Sequence, residues 1–267
     1  MFSDSLTHLV ESIVDLETSL GGVARVRRFC LGTPQESDDQ DETSNHATLP
    51  DHWPSTGAIE FRGVSASYRG KSTIIAVLLG MIDYTGSILI DGRELRTVPT
   101  EFLRSRIITL TQDGVQLQGT IRLNLDPYDP PDYDSGTRLA DQTLITALTR
   151  VGLWETVQNC GGLDADMQAS NFSEGQHQLL GIARAMLRKS YTLSKIVIFD
   201  EATSSIDNDT DRKIQALIAD VFANCTVLMT SHRLYAFDKM HKVIMLNDGY
   251  IEDTLKRDPT SGLLVEA

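Results

Sequence analysis

The sequence predicts an α/β fold: a mostly parallel core sheet interrupted by a mostly helical insertion. Three observations carry that prediction. Ile196-Val197-Ile198-Phe199 and Thr226 to Met229 are continuous apolar runs of the kind buried on both faces of a sheet. Between them Ile214, Leu217, Ile218 and Val221 share one helical face, giving a strand, helix, strand crossover, right-handed by the general rule. After Gly57, strand and turn signals alternate with helical patterns, and the strand signals almost vanish from Gln112 to Ser173.

In chain order, Leu6, Leu9, Val10, Ile13, Val14 and Leu20 recur near helical spacing, so residues 1–33 read as an amphipathic helix needing a surface, whether its own domain or another. Residues 34–56 form an acidic linker in which Glu36, Asp38, Asp39, Asp41 and Glu42 crowd a stretch almost without apolar residues. The globular domain spans 57–267. Strands are expected from Ile59, over Ser87 to Ile90 before the Asp91-Gly92 turn, and over Arg106 to Leu110. The helical insertion covers about 113–172, where Asp141 can cap a helix carrying Leu144, Leu148 and Val151. A closing hairpin is signalled by Val243 to Leu246, Asn247-Asp248-Gly249 and Tyr250-Ile251.

Composition excludes little, since 41% hydrophobic and 23% charged residues are ordinary for a globular chain of 267 residues. A formal charge of -13 with no basic stripe argues against nucleic acid as a partner, because such binding depends on Lys and Arg neutralising phosphates. Cys30, Cys160 and Cys225 show neither metal-ligand spacing nor a disulfide framework, which suits a reducing compartment. The acids Asp4, Glu11, Asp15 and Glu17 oppose a signal peptide, and no window supplies the roughly 18 uncharged apolar residues of a membrane span.

Two features point at nucleotide phosphates. The run Ile196 to Phe199 delivers Asp200 and Glu201 at the carboxyl end of a buried strand, where open parallel sheets bind ligands. Asp200 can hold Mg²⁺ and Glu201 can orient or deprotonate an attacking water; a pair of acids opening a turn would look the same. Gly70-Lys71-Ser72-Thr73 before Ile74 to Leu79 resembles the end of a phosphate loop entering its helix. There Lys71 would neutralise β and γ phosphates and Ser72 would complete the Mg²⁺ shell. A full loop has a glycine five residues before Gly70, where Ser65 stands. Asn171-Phe172-Ser173-Glu174-Gly175-Gln176 opens a helix with Leu179, Ile182, Ala183, Met186 and Leu187 on one face, and Ser173 also reads as an ordinary cap. His232 follows the second apolar run and reaches the same sheet edge as Asp200.

In this order the motifs resemble the ATP-binding cassette (ABC) family from about Gly57 to the end. The resemblance implies a P-loop NTPase-like core sheet of the ABC ATPase kind. Tyr68 looks like the aromatic that stacks on adenine, Gly70 to Thr73 like the end of Walker A, and Gln112 like the glutamine that senses Mg²⁺ and the membrane domain. Ser173, Gly175 and Gln176 look like the signature motif, with Phe172 where Leu is usual. Asp200 and Glu201 look like Walker B with its catalytic glutamate, Ser204-Ser205-Ile206-Asp207 like the D-loop, and His232 like the switch histidine.

Detail is closest to the second nucleotide-binding domain of C-subfamily, multidrug-resistance-like exporters. Leu16 to Phe29 resembles the cytoplasmic end of their last membrane helix, and Asn124-Leu125-Asp126-Pro127 and Val151-Gly152-Leu153-Trp154 agree as well. The resemblance implies ATP and Mg²⁺, a head-to-tail pairing with a second nucleotide-binding domain, transmembrane domains of an exporter as partners, and a place on the cytoplasmic face of a membrane. It implies that Glu201, His232 and Gln112 serve hydrolysis.

One departure is expected to matter. Family members separate the equivalents of Tyr68 and Gly70 by roughly 25 to 35 residues that form two strands and the glycine loop. Here only Arg69 intervenes, so the central P-loop strand is missing. Its loss exposes neighbouring strand edges, and impaired activity follows. The alternatives are a non-hydrolysing regulatory module that completes a partner's site, a nonfunctional fragment, and a soluble cassette protein of DNA repair or translation. The exporter-like start and the missing basic patches oppose the last.

Overall fold

The computed structural model describes residues 22–23, 25–31, 49–50, 52–66, 73–111, 114–127, 140–233, 240–247, 249–258 and 264–266, with only the backbone at Thr73, Val265 and Glu266. It divides into two compact units, Met1–Leu49 and Pro50–Ala267. In the first, residues 22–23 and 25–31 are helical (α1) and expose Val23, Val26, Phe29 and Leu31. The apolar positions from Leu6 to Leu20 lie outside the described residues.

The second unit begins inside the span read as linker. Trp53 is 5% exposed, donates its indole N–H to the Ile90 carbonyl at 3.3 Å and stacks on Phe102 with ring centroids 6.1 Å apart. Asp91, at φ +49°, gathers the same segment by accepting the amides of Ser55, Thr56 and Ala58. A single Trp among acids and prolines gives no periodic signal, so composition hid this anchor.

The first sheet is antiparallel, in the order β1 (Ile59–Ser65), β2 (Thr85–Ile90), β3 (Arg93–Glu94). Between β1 and β2 runs α2 (Thr73–Leu78), which buries Ile75, Val77 and Leu78. The second sheet is parallel, in the order β4 (Ile107–Leu110), β5 (Ile196–Asp200), β6 (Thr226–Thr230). The continuous apolar run of β5 has its cause in this position: a central strand covered on both faces, with Ile196 to Phe199 fully buried. Arg106, expected to open β4, instead ends helix α3 (Thr100–Arg106), which buries only Leu103 and so left little periodicity to read.

The insertion contributes α4 (Ile121–Leu125), α5 (Asp141–Arg150) and α6 (Trp154–Asn159). Asp141 does not cap α5. It is the first helical residue after Ala140, and its carboxylate meets Arg122, whose guanidinium also takes Asp164 at 2.9 Å. The acid thus ties α4 to α5 while still favouring the positive end of the helix. The long α7 (Glu174–Tyr191) and α8 (Asn208–Val221) complete the core. Leu180, Ile182, Ala183 and Leu187 of α7 join Leu144, Leu148, Val157 and Met167 of the insertion with Val197 and Phe199 of β5 in one cluster. Burying each such Leu, Ile or Phe stabilises by roughly 1.5–3 kcal/mol, so insertion and parallel sheet are bound as one body.

The closing hairpin forms as expected and runs longer: β7 (Lys242–Asn247) and β8 (Tyr250–Arg257), extended by β9 (Leu264–Glu266). Among the described residues these strands form a separate sheet and β6 is the last strand of the parallel one. Ile244, Met245, Leu246, Tyr250 and Ile251 of the hairpin are exposed.

Candidate functional site at the carboxyl ends of β5 and β6

Strands β5 and β6 run in register to the pair Asp200 and Thr230. The Thr230 hydroxyl donates to Asp200 Oδ1 at 2.7 Å and accepts the Glu201 amide N–H at 3.1 Å. Glu201 has φ +50°, the left-handed region that non-glycine residues seldom occupy and that functional sites often retain. The turn it makes aims its side chain back at the strand ends, where Glu201 Oε1 lies 3.0 Å from His232 Nε2. The Glu201 side chain is 21% exposed and that of His232 74%, which leaves the acid sheltered and the imidazole in water.

Beyond Glu201 the chain forms the loop Ser204 to Asp207, gripped from two sides. Gln178 of α7 donates to Ser204 Oγ and accepts the Ser205 amide, each at 3.0 Å. Arg233 donates to the carbonyls of Ser204 at 2.8 Å and Ile206 at 2.9 Å, and to buried Asp211 at 3.2 Å. Asp207 then caps α8 by accepting the amides of Asp209 and Thr210; those bonds hold its carboxyl below the usual range.

The start of α7 rests on this loop. Ser173 and Gln176 form a capping box: the Ser173 hydroxyl accepts the Gln176 amide at 3.3 Å, and the Gln176 side chain accepts the Ser173 amide at 2.8 Å. The ordinary-cap reading of Ser173 therefore holds, and it leaves room for chemistry, because a hydroxyl that accepts still has a proton to give.

Of the residues singled out in the sequence, Asp200, Glu201 and His232 come together, and Ser173, Gly175 and Gln176 join them through the Ser204–Asp207 loop. Thr73 opens α2. Tyr68, Gly70, Lys71, Ser72 and Gln112 lie outside the described residues. Sequence reasoning missed Thr230, Gln178, Arg233 and Asp211. Polar residues at the end of an apolar strand and on an apolar helical face were the available signals.

Among the described residues no three His, Cys, Asp or Glu side chains cluster as a metal cage. Mg²⁺ keeps waters and needs only one or two carboxylates beside a substrate's phosphates, and Asp200, at the carboxyl end of β5, is the described residue that would offer one.

A buried parallel strand that delivers an acid pair beside an imidazole, with a capped helix start close by, is the arrangement that the sequence led one to expect of a nucleotide phosphate site. The family follows from comparison. The ABC transporter family model matches residues 63–204. Over 98% of this chain there is 36% identity to ABC transporter atnG of Emericella nidulans, in 292 aligned positions; over 97% there is 32% identity to ABC transporter C family member 8 of Dictyostelium discoideum, also in 292. The fold is similar to that of a bacterial Atm1-family ABC exporter with ATP bound, at TM-score 0.60 and 25% identity, covering 69% of this chain and 31% of that one. The chain belongs to the ABC transporter family, and the matched span is that family's ATP-binding domain. The chain spans 18% and 17% of the two curated relatives' lengths. Among the described residues no helix is long and apolar enough to cross a membrane.

Proposed function

We propose that the chain is the nucleotide-binding domain of a C-subfamily ABC exporter, which binds ATP with Mg²⁺ and couples it to transport through transmembrane domains on the cytoplasmic face. The observation that carries this reading is the 3.0 Å approach of His232 to Glu201 beside Asp200, at the carboxyl ends of two parallel strands. Residues 1–33 end the last membrane helix, 34–49 link, and 50–267 form the domain, with its helical insertion at about 113–172. Tyr68 stacks on adenine, Gly70 to Thr73 hold phosphate, and Asp200, Ser72 and Gln112 serve the metal.

Bound with ATP, Mg²⁺ would neutralise phosphate charge. Glu201 accepts the proton of a water whose oxygen forms a bond to the γ-phosphorus as the bond to the ADP oxygen breaks, and His232 holds the Glu201 carboxylate in place. In a head-to-tail pair, Ser173, Gly175 and Gln176 face the second domain's ATP.

The phosphate loop of this chain is truncated between Tyr68 and Gly70. Both alignments of 292 positions exceed the 267 residues of the chain, leaving at least 25 positions filled only in the relatives. The chain is therefore a weak ATPase by itself and completes a partner's site through Ser173. Mixing the full chain with an intact nucleotide-binding domain of a C-subfamily exporter tests this. Turnover should rise on mixing and fall at least tenfold with Ser173→Ala in this chain. A mixture indifferent to Ser173→Ala would defeat the reading. Transcripts sequenced across Tyr68 to Lys71 should lack the glycine loop.

A further inference from the structure

We propose that Thr230 is a positioning residue for the Asp200–Glu201 pair, joining the side chain of one acid to the backbone of the next. What the pair does rests on the function proposed above; how it is held does not. A threonine hydroxyl has one proton and two lone pairs. Here the proton goes to Asp200 Oδ1 at 2.7 Å and a lone pair takes the Glu201 amide at 3.1 Å, so the two uses are compatible and each fixes the other's direction.

The Glu201 backbone is pinned on its other side as well, because its carbonyl accepts the Ser204 amide at 3.0 Å. Between those bonds the residue sits at φ +50°, which a glutamate keeps only where its surroundings hold it. That conformation turns the side chain to within 3.0 Å of His232. Val227 to Met229, which precede it in β6, are apolar, and the strand's other hydroxyl, Thr226 at its far end, donates to the Gly57 carbonyl at 2.7 Å, so Thr230 is the strand's hydroxyl at the acid pair. Valine would fill the same volume and keep the strand preference of a β-branched residue, yet would offer Asp200 no donor and the Glu201 amide no acceptor. Released from it, the Glu201 peptide relaxes toward ordinary φ and its carboxylate leaves His232.

The test uses the full chain as wild type, Thr230→Val and Thr230→Ser. Amide hydrogen exchange at Glu201, with Val197 as the core reference, reads the positioning without any nucleotide. Thr230→Val should exchange roughly five- to tenfold faster at Glu201 with Val197 unchanged, and Thr230→Ser should stay within about twofold of wild type. Equal rates in wild type and Thr230→Val would overturn the proposal, as would a Thr230→Ser variant as fast as Thr230→Val. ATP binding at graded Mg²⁺ provides the second reading: Thr230→Val should need several-fold more Mg²⁺ for half-saturation, and Thr230→Ser should restore it. A wild-type chain that binds no ATP at any Mg²⁺ would remove the proposed function, while the exchange rates still decide the role of Thr230.

Discussion

A Cβ added to Gly175 would lie 2.9 Å from the carbonyl oxygen of Ser205, so the start of α7 and the loop after Glu201 meet backbone to backbone. No flexible side-chain end is available there to yield. Gly175→Ala should push α7 and the loop apart and destabilise by about 1–3 kcal/mol in denaturant unfolding. The same variant should weaken cooperation with a partner domain, because the loop carries the Gln178 and Arg233 contacts that align Ser173 with Glu201. A variant as stable as wild type would show that the loop moves freely.

Arg233 and Asp211 form a second anchor of that loop, with the Asp211 side chain 0% exposed. Removing the cation strands a buried carboxylate, so Arg233→Met should cost about 3–5 kcal/mol. Arg233→Met with Asp211→Leu should recover much of that loss. The interaction free energy of the double-mutant cycle measures the coupling, and additive single losses would contradict the pairing.

Much of this arrangement was legible in the sequence because it is periodic or ordered. The β5 run, the α7 face and the order Ser173, Asp200, Glu201, His232 gave the parallel sheet, the capped helix and the acid pair. The single polar contacts were not legible. Thr230 closes an apolar strand, Gln178 interrupts an apolar helical face, and Trp53 sits in an acidic stretch; each finds its partner 26 to 37 positions away in the chain, which no local pattern encodes. Asp141 misled in the opposite sense: a favourable capping residue was drawn off by Arg122, a tertiary demand that outweighed local propensity.

Phe199 gives a test of the core itself. It is fully buried in β5 and meets Phe222 edge-on with centroids 5.7 Å apart. Phe199→Ala should lower stability by about 3–5 kcal/mol. Urea unfolding should show the loss as a shifted midpoint at unchanged slope. A loss below about 1 kcal/mol would mean that β5 is not the central strand of a packed sheet.

Asp91 predicts a pH dependence. Burial opposes its charge, but the Thr56 hydroxyl and the amides of Thr56, Ala58 and Gly57 overcome that and hold its carboxyl at about 2. A folded value below the unfolded one, near 3.9, means stability that is fully present above about pH 4 and lost as pH falls through 2. Asp91→Asn should therefore be less stable than wild type at neutral pH, and the gap should close between about pH 4 and 2. A gap constant across that range would show that the charge contributes nothing.

ATP turnover by the purified full chain alone bears most directly on the proposal that Asp200, Glu201, His232 and the start of α7 keep their places while the phosphate loop is truncated. Turnover should stay close to background, unchanged by Glu201→Gln. Steady turnover that Glu201→Gln abolishes would contradict that proposal, and would show that Gly70 to Thr73 support hydrolysis without the missing strand.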